Sequence, residues 1–95
     1  MPESNPDLSA LRQAIDEMDE KILNLINQRL LLAQQIGALK AHGGIQIADP
    51  RREKDIIDRL LHTNNGPLDA NGLQRIFTAI IAAGRSVQKT DRGPQ

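Results

Sequence analysis

The feature that most constrains this chain is a long series of apolar residues at helical spacing in its first half. They recur three or four positions apart, with one interruption, in the order Leu8, Leu11, Ile15, Met18, Ile22, Leu25, Leu32, Ile36 and Leu39. This spacing predicts one amphipathic helix with a near-heptad apolar stripe. Nothing breaks the pattern between Pro6 and Gly43-Gly44, so we expect the helix to cover about residues 6–42.

Such a helix is too long to be covered by the rest of its own chain. It would extend ~55 Å, whereas a compact domain of 95 residues has a radius of gyration of only ~12 Å. Cysteine is absent, so disulfides cannot compensate for a small core. We therefore expect an all-α fold with three helices per chain, in which a second copy covers the stripe and completes an intertwined homodimeric helical bundle.

A local capping pattern predicts the start of the second helix. Asp49 followed by Pro50 is typical of an N-cap residue and a proline at the first helical position. Apolar residues then recur at helical spacing until the turn-rich stretch 63–67. These signals predict a helix over 50–63.

The third helix begins after a comparable signal. Leu68 and Leu73 flank Asp69 at the spacing of a hydrophobic staple around an N-cap. The helical pattern continues to about residue 88, and residues 89–95 are polar and contain Gly-Pro. The sequence predicts a helix over 70–88 followed by a flexible tail.

Composition limits the classes of partner. Twelve basic residues balance twelve acidic ones, and Phe77 is the only aromatic residue, which disfavours a nucleic-acid partner. No apolar run approaches the ~18 residues of a membrane span. His42 and His62 lack metal-ligand spacing, so we expect no metal site. The cysteine-free chain is expected to be a single cytoplasmic domain over residues 1–95 with no membrane partner.

The interruption of the apolar stripe is Arg29. It stands between Leu25 and Leu32, where the spacing calls for an apolar residue. Burying a guanidinium is costly unless it meets an anion, so Arg29 binds an anionic ligand, pairs with a core carboxylate, or serves as a polar residue that sets the helix register. Lys40 lies eleven residues later, a rotation of only ~20°, so both cations share a face. Taken alone, Lys40 is equally typical of a solvated lysine near a helix C-terminus.

Arg12 cannot reach the same small ligand as Arg29 within one helix. The two residues are ~25 Å apart along the helix and turned by ~100°. In an antiparallel dimer, Arg12 of the partner subunit could lie beside the middle of the other long helix. Taken alone, Arg12 is an ordinary surface arginine.

Three charged residues occupy the first turn of the second helix. Arg51 and Arg52 oppose the helix dipole there, and an anion bound nearby would explain them, although Arg51, Arg52 and Glu53 also fit a solvated face. Gln88 extends the apolar face of the third helix past Gly84, whose missing side chain could leave space. Gln88 is otherwise a simple helix-end residue.

The ordered set of these residues resembles the all-helical class of chorismate mutases over about residues 6–88. The residues that carry the resemblance are Leu11-Arg12, Ile15-Asp16, Met18-Asp19, Arg29, Lys40, Asp49-Pro50-Arg51-Arg52-Glu53, Ile76-Phe77 and Gln88.

The resemblance implies a homodimer with two shared active sites that rearranges chorismate to prephenate without a cofactor. It implies that Arg12 of the partner subunit, Arg29 and Arg52 hold the two carboxylates of the substrate. It implies that Lys40 and Gln88 donate hydrogen bonds to the ether oxygen. Association or fusion with another shikimate-pathway enzyme is a further expectation.

The remaining positions qualify this interpretation. By the same resemblance Glu53 accepts the ring hydroxyl of the substrate, and the backbone of Asp49 assists. Gly84 departs from the family, whose members often carry serine there, which puts one hydroxyl contact to a carboxylate in doubt. Two alternatives stay open: an isochorismate-pyruvate lyase of the same fold, which generally lacks the carboxylate of Glu53, and a non-catalytic helical dimer whose polar residues set the register.

Overall fold

The computed structural model describes residues 6–43 and 49–91, and within these ranges the only regular secondary structure is α-helix. The three helices are α1 (Pro6–Gly43), α2 (Pro50–Thr63) and α3 (Ala70–Asp91). The all-α prediction is confirmed. The third helix continues past residue 88, where its end was expected, because no glycine or proline follows Gln88 before Gly93. The rest of the expected tail, residues 92–95, lies outside the described residues.

Aspartate side chains start α2 and α3. Asp49 accepts a hydrogen bond through Oδ1 from the backbone N–H of Arg52 at 3.1 Å. Asp69 does the same for the N–H of Gly72 at 2.6 Å. Each bond satisfies an N–H that the first helical turn leaves unpaired. The cap therefore fixes the backbone of α2 at Arg52 and Glu53.

The third helix packs against both of the others, and its contact with α1 is the more extensive. The face of α1 that it covers contains Ala33 and Gly37, both buried. A Cβ atom at Gly37 would lie 2.9 Å from the Cα of Gln88, so the two backbones approach as closely as they do only because residue 37 has no side chain.

The apolar stripe of α1 runs beside this face and stays exposed. Among its members, Leu11 is 63% exposed, Leu25 63% and Leu32 59%. The N-terminal half of α1 projects beyond α2 and α3, and the radius of gyration is 18.0 Å, well above the ~12 Å of a compact domain of this length. A single chain therefore leaves its longest apolar surface uncovered.

The core of one chain is small. Within the described residues, the buried apolar side chains are Ala33, Ile56, Leu73 and Ile81, whereas Ile76 of α3 is about half exposed. None of the described helices is long and apolar enough to cross a membrane. The packing that exists is concentrated where the three helices meet, and this is where the candidate site lies.

Candidate functional site

A cavity of about 490 Å³ lies between the C-terminal half of α1, the start of α2 and the end of α3. Its volume falls within the range of ~300 to 1,000 Å³ typical of small-molecule sites. It is lined by Arg29, Leu32, Ala33, Ile36, Lys40, Asp49, Arg52, Glu53, Ile56, Ile81, Gly84, Arg85 and Gln88. The structure thus brings together every predicted site residue except Arg12.

The first helix contributes two cations to this cavity. Arg29 and Lys40 both line it and both are half-buried, as their shared helical face requires. Gly84 of α3 faces Arg29: a Cβ atom at residue 84 would lie 3.5 Å from an Arg29 Nη1 and 3.7 Å from the Ala33 Cβ. These are ordinary contact distances, so residue 84 has room for a small side chain next to the guanidinium.

The start of α2 contributes the opposite wall. Asp49 caps the helix, and its cap bond to the Arg52 N–H fixes the backbone from which Arg52 and Glu53 extend into the cavity. Arg51 is exposed and does not line the cavity. Arg52, the arginine that the family resemblance assigned to the site, therefore lines the cavity, and its neighbour Arg51 does not.

Gln88 is placed by the close approach of α1 and α3. Its backbone rests against Gly37, and its side-chain Oε1 is buried without a hydrogen-bond partner among the described residues. An unsatisfied buried polar atom destabilises a fold by ~1 to 3 kcal/mol, and such atoms are rare in native proteins. The Gln88 Oε1 is therefore an acceptor that a donor on a ligand in the cavity could satisfy.

Arg85 is a cavity residue that was missed from the sequence. Its Nη1 donates to Oε2 of Glu53 at 2.5 Å, which joins α3 to α2. The only signal available was its position one residue after Gly84 and three before Gln88, which puts it near the same helical face. The partner of Arg85 lies 32 residues away, so no local pattern could reveal the pair.

Arg12 lies apart from this cavity. It borders a separate depression on the projecting half of α1, together with Leu8, Ser9, Gln13 and Asp16. Within residues 6–43 and 49–91, no group of three His, Cys, Asp or Glu side chains is arranged to hold a metal ion. His62 is exposed in the last turn of α2, and the side chain of His42 lies outside the described residues.

The charges of the cavity favour an anionic ligand. Four cationic side chains line it, from Arg29, Lys40, Arg52 and Arg85, against the two carboxylates of Asp49 and Glu53. Its floor is aliphatic, and arginine side chains are suited to binding carboxylates in two-pronged geometry. The fold and the cavity together define a small all-helical protein with a site for a compact, multiply charged organic anion.

Comparison with known families identifies the class more closely. Residues 11–89 match the model of the family described as chorismate mutase type II. The chain belongs to this family, whose members are isomerases, and the predicted resemblance is confirmed.

Curated relatives agree with this assignment. The chorismate mutase of Methanocaldococcus jannaschii is 40% identical over 83 residues, which cover 86% of this chain and 84% of that protein. The bifunctional chorismate mutase/prephenate dehydratase of Aquifex aeolicus is 37% identical over 87 residues, which cover 87% of this chain. The chain spans only 24% of the length of that bifunctional relative.

Solved structures show the same fold. The chorismate mutase (form II) of Thermus thermophilus superposes with a TM-score of 0.84 at 30% identity, covering 86% of this chain and 93% of that one. The chorismate mutase of Helicobacter pylori, solved in complex with prephenate, gives 0.84 at 28% identity, covering 92% and 94%.

Proposed function

We propose that this chain rearranges chorismate to prephenate, without a cofactor, in the cavity between α1, α2 and α3. The observation that carries the proposal is the convergence of Arg29, Lys40, Arg52 and Gln88 on one cavity with an aliphatic floor. A protein whose polar residues only set the register of a helical dimer has no need for three cations and an amide around one cavity. The family membership of the chain supports the same conclusion.

The reaction explains why these residue types suffice. One ether C–O bond breaks as a C–C bond forms within the same molecule, so no nucleophile and no redox partner takes part. The enzyme must hold a flexible dianion in its compact reactive conformer, which is a task of proximity and orientation. It must also stabilise the negative charge that gathers on the ether oxygen in the transition state.

The cavity supplies groups for both tasks. Arg29 and Arg52 line the cavity from α1 and α2 and would hold the two carboxylates of the substrate. Lys40 and Gln88 line the same cavity from α1 and α3 and would donate hydrogen bonds to the ether oxygen. A fixed donor in a partly dehydrated site contributes more to the transition state than the same donor in water. Glu53 would accept the hydroxyl of the ring.

We propose further that the active form is a homodimer. The exposed stripe of α1 is long and apolar except at Arg29, and large exposed apolar patches mark protein interfaces. Another copy of α1 carries the matching near-heptad pattern, so an antiparallel pair of α1 helices buries both stripes at once. The small core of the isolated chain supports this, since a domain of this size buries too little surface to be robust alone.

The dimer also accounts for Arg12. This residue lies on the projecting half of α1, away from the cavity of its own chain. In the proposed antiparallel pairing, Arg12 of the partner subunit completes the set of arginines around the substrate. Asp49 acts mainly as the cap that orients Arg52, and Gly84 leaves the Arg29 guanidinium accessible.

The first experiment is an assay of the purified chain with chorismate and, in parallel, with isochorismate. Loss of the chorismate ultraviolet absorbance, with acid conversion of the product to phenylpyruvate, is the expected result. Salicylate and pyruvate from isochorismate alone would instead show a lyase. No turnover of either compound would contradict the proposal and favour a binding module.

A mixed-dimer experiment tests the shared site. Arg12→Ala and Arg29→Ala homodimers should both be inactive, but a mixed dimer has one site in which both arginines are intact. Random association should therefore restore about a quarter of the wild-type activity. The matched control mixes Arg29→Ala with Lys40→Ala, two changes on the same side of each site, and should restore none. Recovery in the control, or none in the first mixture, would exclude the shared arrangement.

Location and partners form the last part of the proposal. The cysteine-free sequence supports a cytoplasmic location. Relatives such as the Aquifex aeolicus protein combine a chorismate mutase with a prephenate dehydratase, which supports association or fusion with another enzyme of the pathway. Co-purification from the native organism, followed by mass spectrometry, would test for an associated or fused enzyme.

A further inference from the structure

Arg85 and Glu53 form an ion pair in the wall of the proposed active site. The Arg85 Nη1 lies 2.5 Å from the Glu53 Oε2, and the two side chains are 36% and 28% exposed. Both also border a smaller cavity of about 250 Å³ between α2 and α3, together with Pro50, Ile57 and Thr78. The pair therefore stands between the substrate cavity on one side and a cleft on the other.

This position differs from that of an ordinary surface pair. Lys54 and Asp58 also form an ion pair, at 2.6 Å, but their side chains are 76% and 54% exposed and lie one turn apart on α2. Water screens such a pair, and it restricts neither helix relative to another. The Arg85 to Glu53 pair spans two helices and is less exposed to solvent, so it restricts where the carboxylate of Glu53 can lie.

The two carboxylate oxygens of Glu53 also have different surroundings. Arg85 holds Oε2, whereas Oε1 has no hydrogen-bond partner among the described residues. A glutamate side chain with neither oxygen held samples several rotamers, so ordering it during the reaction costs conformational entropy. If the side chain is already fixed before the substrate binds, this cost no longer opposes the reaction. The charge of Arg85 also offsets the repulsion between a carboxylate and a dianionic substrate.

We propose that Arg85 is a positioning residue: it holds Glu53 by Oε2 so that Oε1 faces the cavity and accepts the hydroxyl of the substrate ring. This inference rests on the proposed function and assigns a role to a residue that neither the sequence pattern nor the substrate contacts require. Arg85 acts through Glu53, so its effect on catalysis should disappear when Glu53 cannot form the pair.

A double-mutant cycle tests this coupling. Arg85→Gln removes the charge while keeping helix propensity and approximate length, and Glu53→Ala removes both acceptor oxygens of residue 53. Arg85→Gln alone should lower kcat/KM for chorismate about tenfold, whereas the same change in the Glu53→Ala background should alter it by less than about twofold. Arg85→Lys should recover part of the loss, because it restores a cation. Lys54→Gln, which breaks the exposed pair, is the matched control and should leave kcat and KM unchanged.

Thermal unfolding separates positioning from a purely structural role. If Arg85 only ties α3 to α2, Arg85→Gln will lower the melting temperature but leave kcat/KM of the folded enzyme unchanged, which would overturn the inference. Equal losses in the two backgrounds would also overturn it. Arg85→Met provides the same comparison if Arg85→Gln does not fold. An inactive wild-type chain would overturn the proposed function together with this inference, whereas an active wild type with a normal Arg85→Gln variant would overturn this inference alone.

Discussion

The contact between Gly37 and Gln88 makes a prediction that depends on the tertiary structure. A Cβ atom at residue 37 would meet the Gln88 Cα at 2.9 Å, its Cβ at 3.0 Å and its carbonyl oxygen at 3.1 Å. Carbon atoms in contact normally lie ~3.5 to 4.0 Å apart, so Gly37→Ala must push α3 away from α1 by about 0.6 Å. Two of the three atoms belong to the backbone, so a rotamer change cannot relieve the clash.

Two effects of opposite sign set the magnitude. Overpacking of this kind destabilises a fold by ~1 to 3 kcal/mol, whereas alanine in place of a helical glycine contributes ~1 kcal/mol of stability. We expect a net loss of about 1 kcal/mol and a fall in melting temperature of ~4 to 8 °C. Because a misplacement of ~1 Å can reduce a rate 100-fold, the shift of Gln88 should lower kcat at least about tenfold.

Gly84→Ala is the matched control for stability. Its Cβ would meet nothing closer than 3.5 Å, so the helix-propensity gain of ~1 kcal/mol should appear without a clash and the melting temperature should rise. Both variants should be measured by circular dichroism at one protein concentration, because an oligomer melts at a temperature that depends on concentration. If Gly37→Ala is stabilised as much as Gly84→Ala and keeps its kcat, the close helix approach does not position Gln88.

Three further predictions concern single residues. Lys40→Ala should lower kcat ~100- to 1,000-fold, as expected for the loss of a donor to the developing oxyanion; steady-state kinetics with Lys54→Ala as control would test this, and a near-normal kcat would refute the role. Gly84→Ser should lower KM for chorismate ~2- to 10-fold by adding a hydroxyl beside Arg29, and an unchanged or raised KM would show that the hydroxyl does not reach the substrate. Ile22→Lys, which places a charge in the exposed stripe, should raise the dimer dissociation constant about 100-fold or more; sedimentation across a concentration series would detect it, and unchanged association would place the interface elsewhere.

The starts of the helices could be predicted from the sequence because capping is local. Asp49 and Asp69 each bond an N–H three residues ahead, so a window of a few residues contains both partners. The same locality explains why Arg29 and Lys40 were predicted to share a face: helical geometry alone sets their relative direction. The end of α3 was predicted too early, at about residue 88 instead of Asp91, since polar residues without a glycine or proline do not terminate a helix.

The faces used for packing required the tertiary structure. The apolar stripe was evident from the sequence, but α3 covers a neighbouring face built on Ala33 and Gly37, and the stripe stays exposed in the single chain. Periodicity shows that a helix has an apolar side, whereas the surface that packs within the chain is chosen by where the other helices can approach. Small residues permit the closest approach of two helices. A glycine within a long helix, however, does not by itself reveal that another helix packs against it.

The sequence by itself determined the helical class, the helix starts and most of the polar residues of the candidate site, because these follow from local periodicity, capping and a recognisable order of residues. Only the tertiary structure decided that Gln88 rests on Gly37 and that Arg85 holds Glu53. Each of these depends on the distance between atoms of different helices. Such distances are set by how whole helices pack, a property that no short stretch of sequence contains.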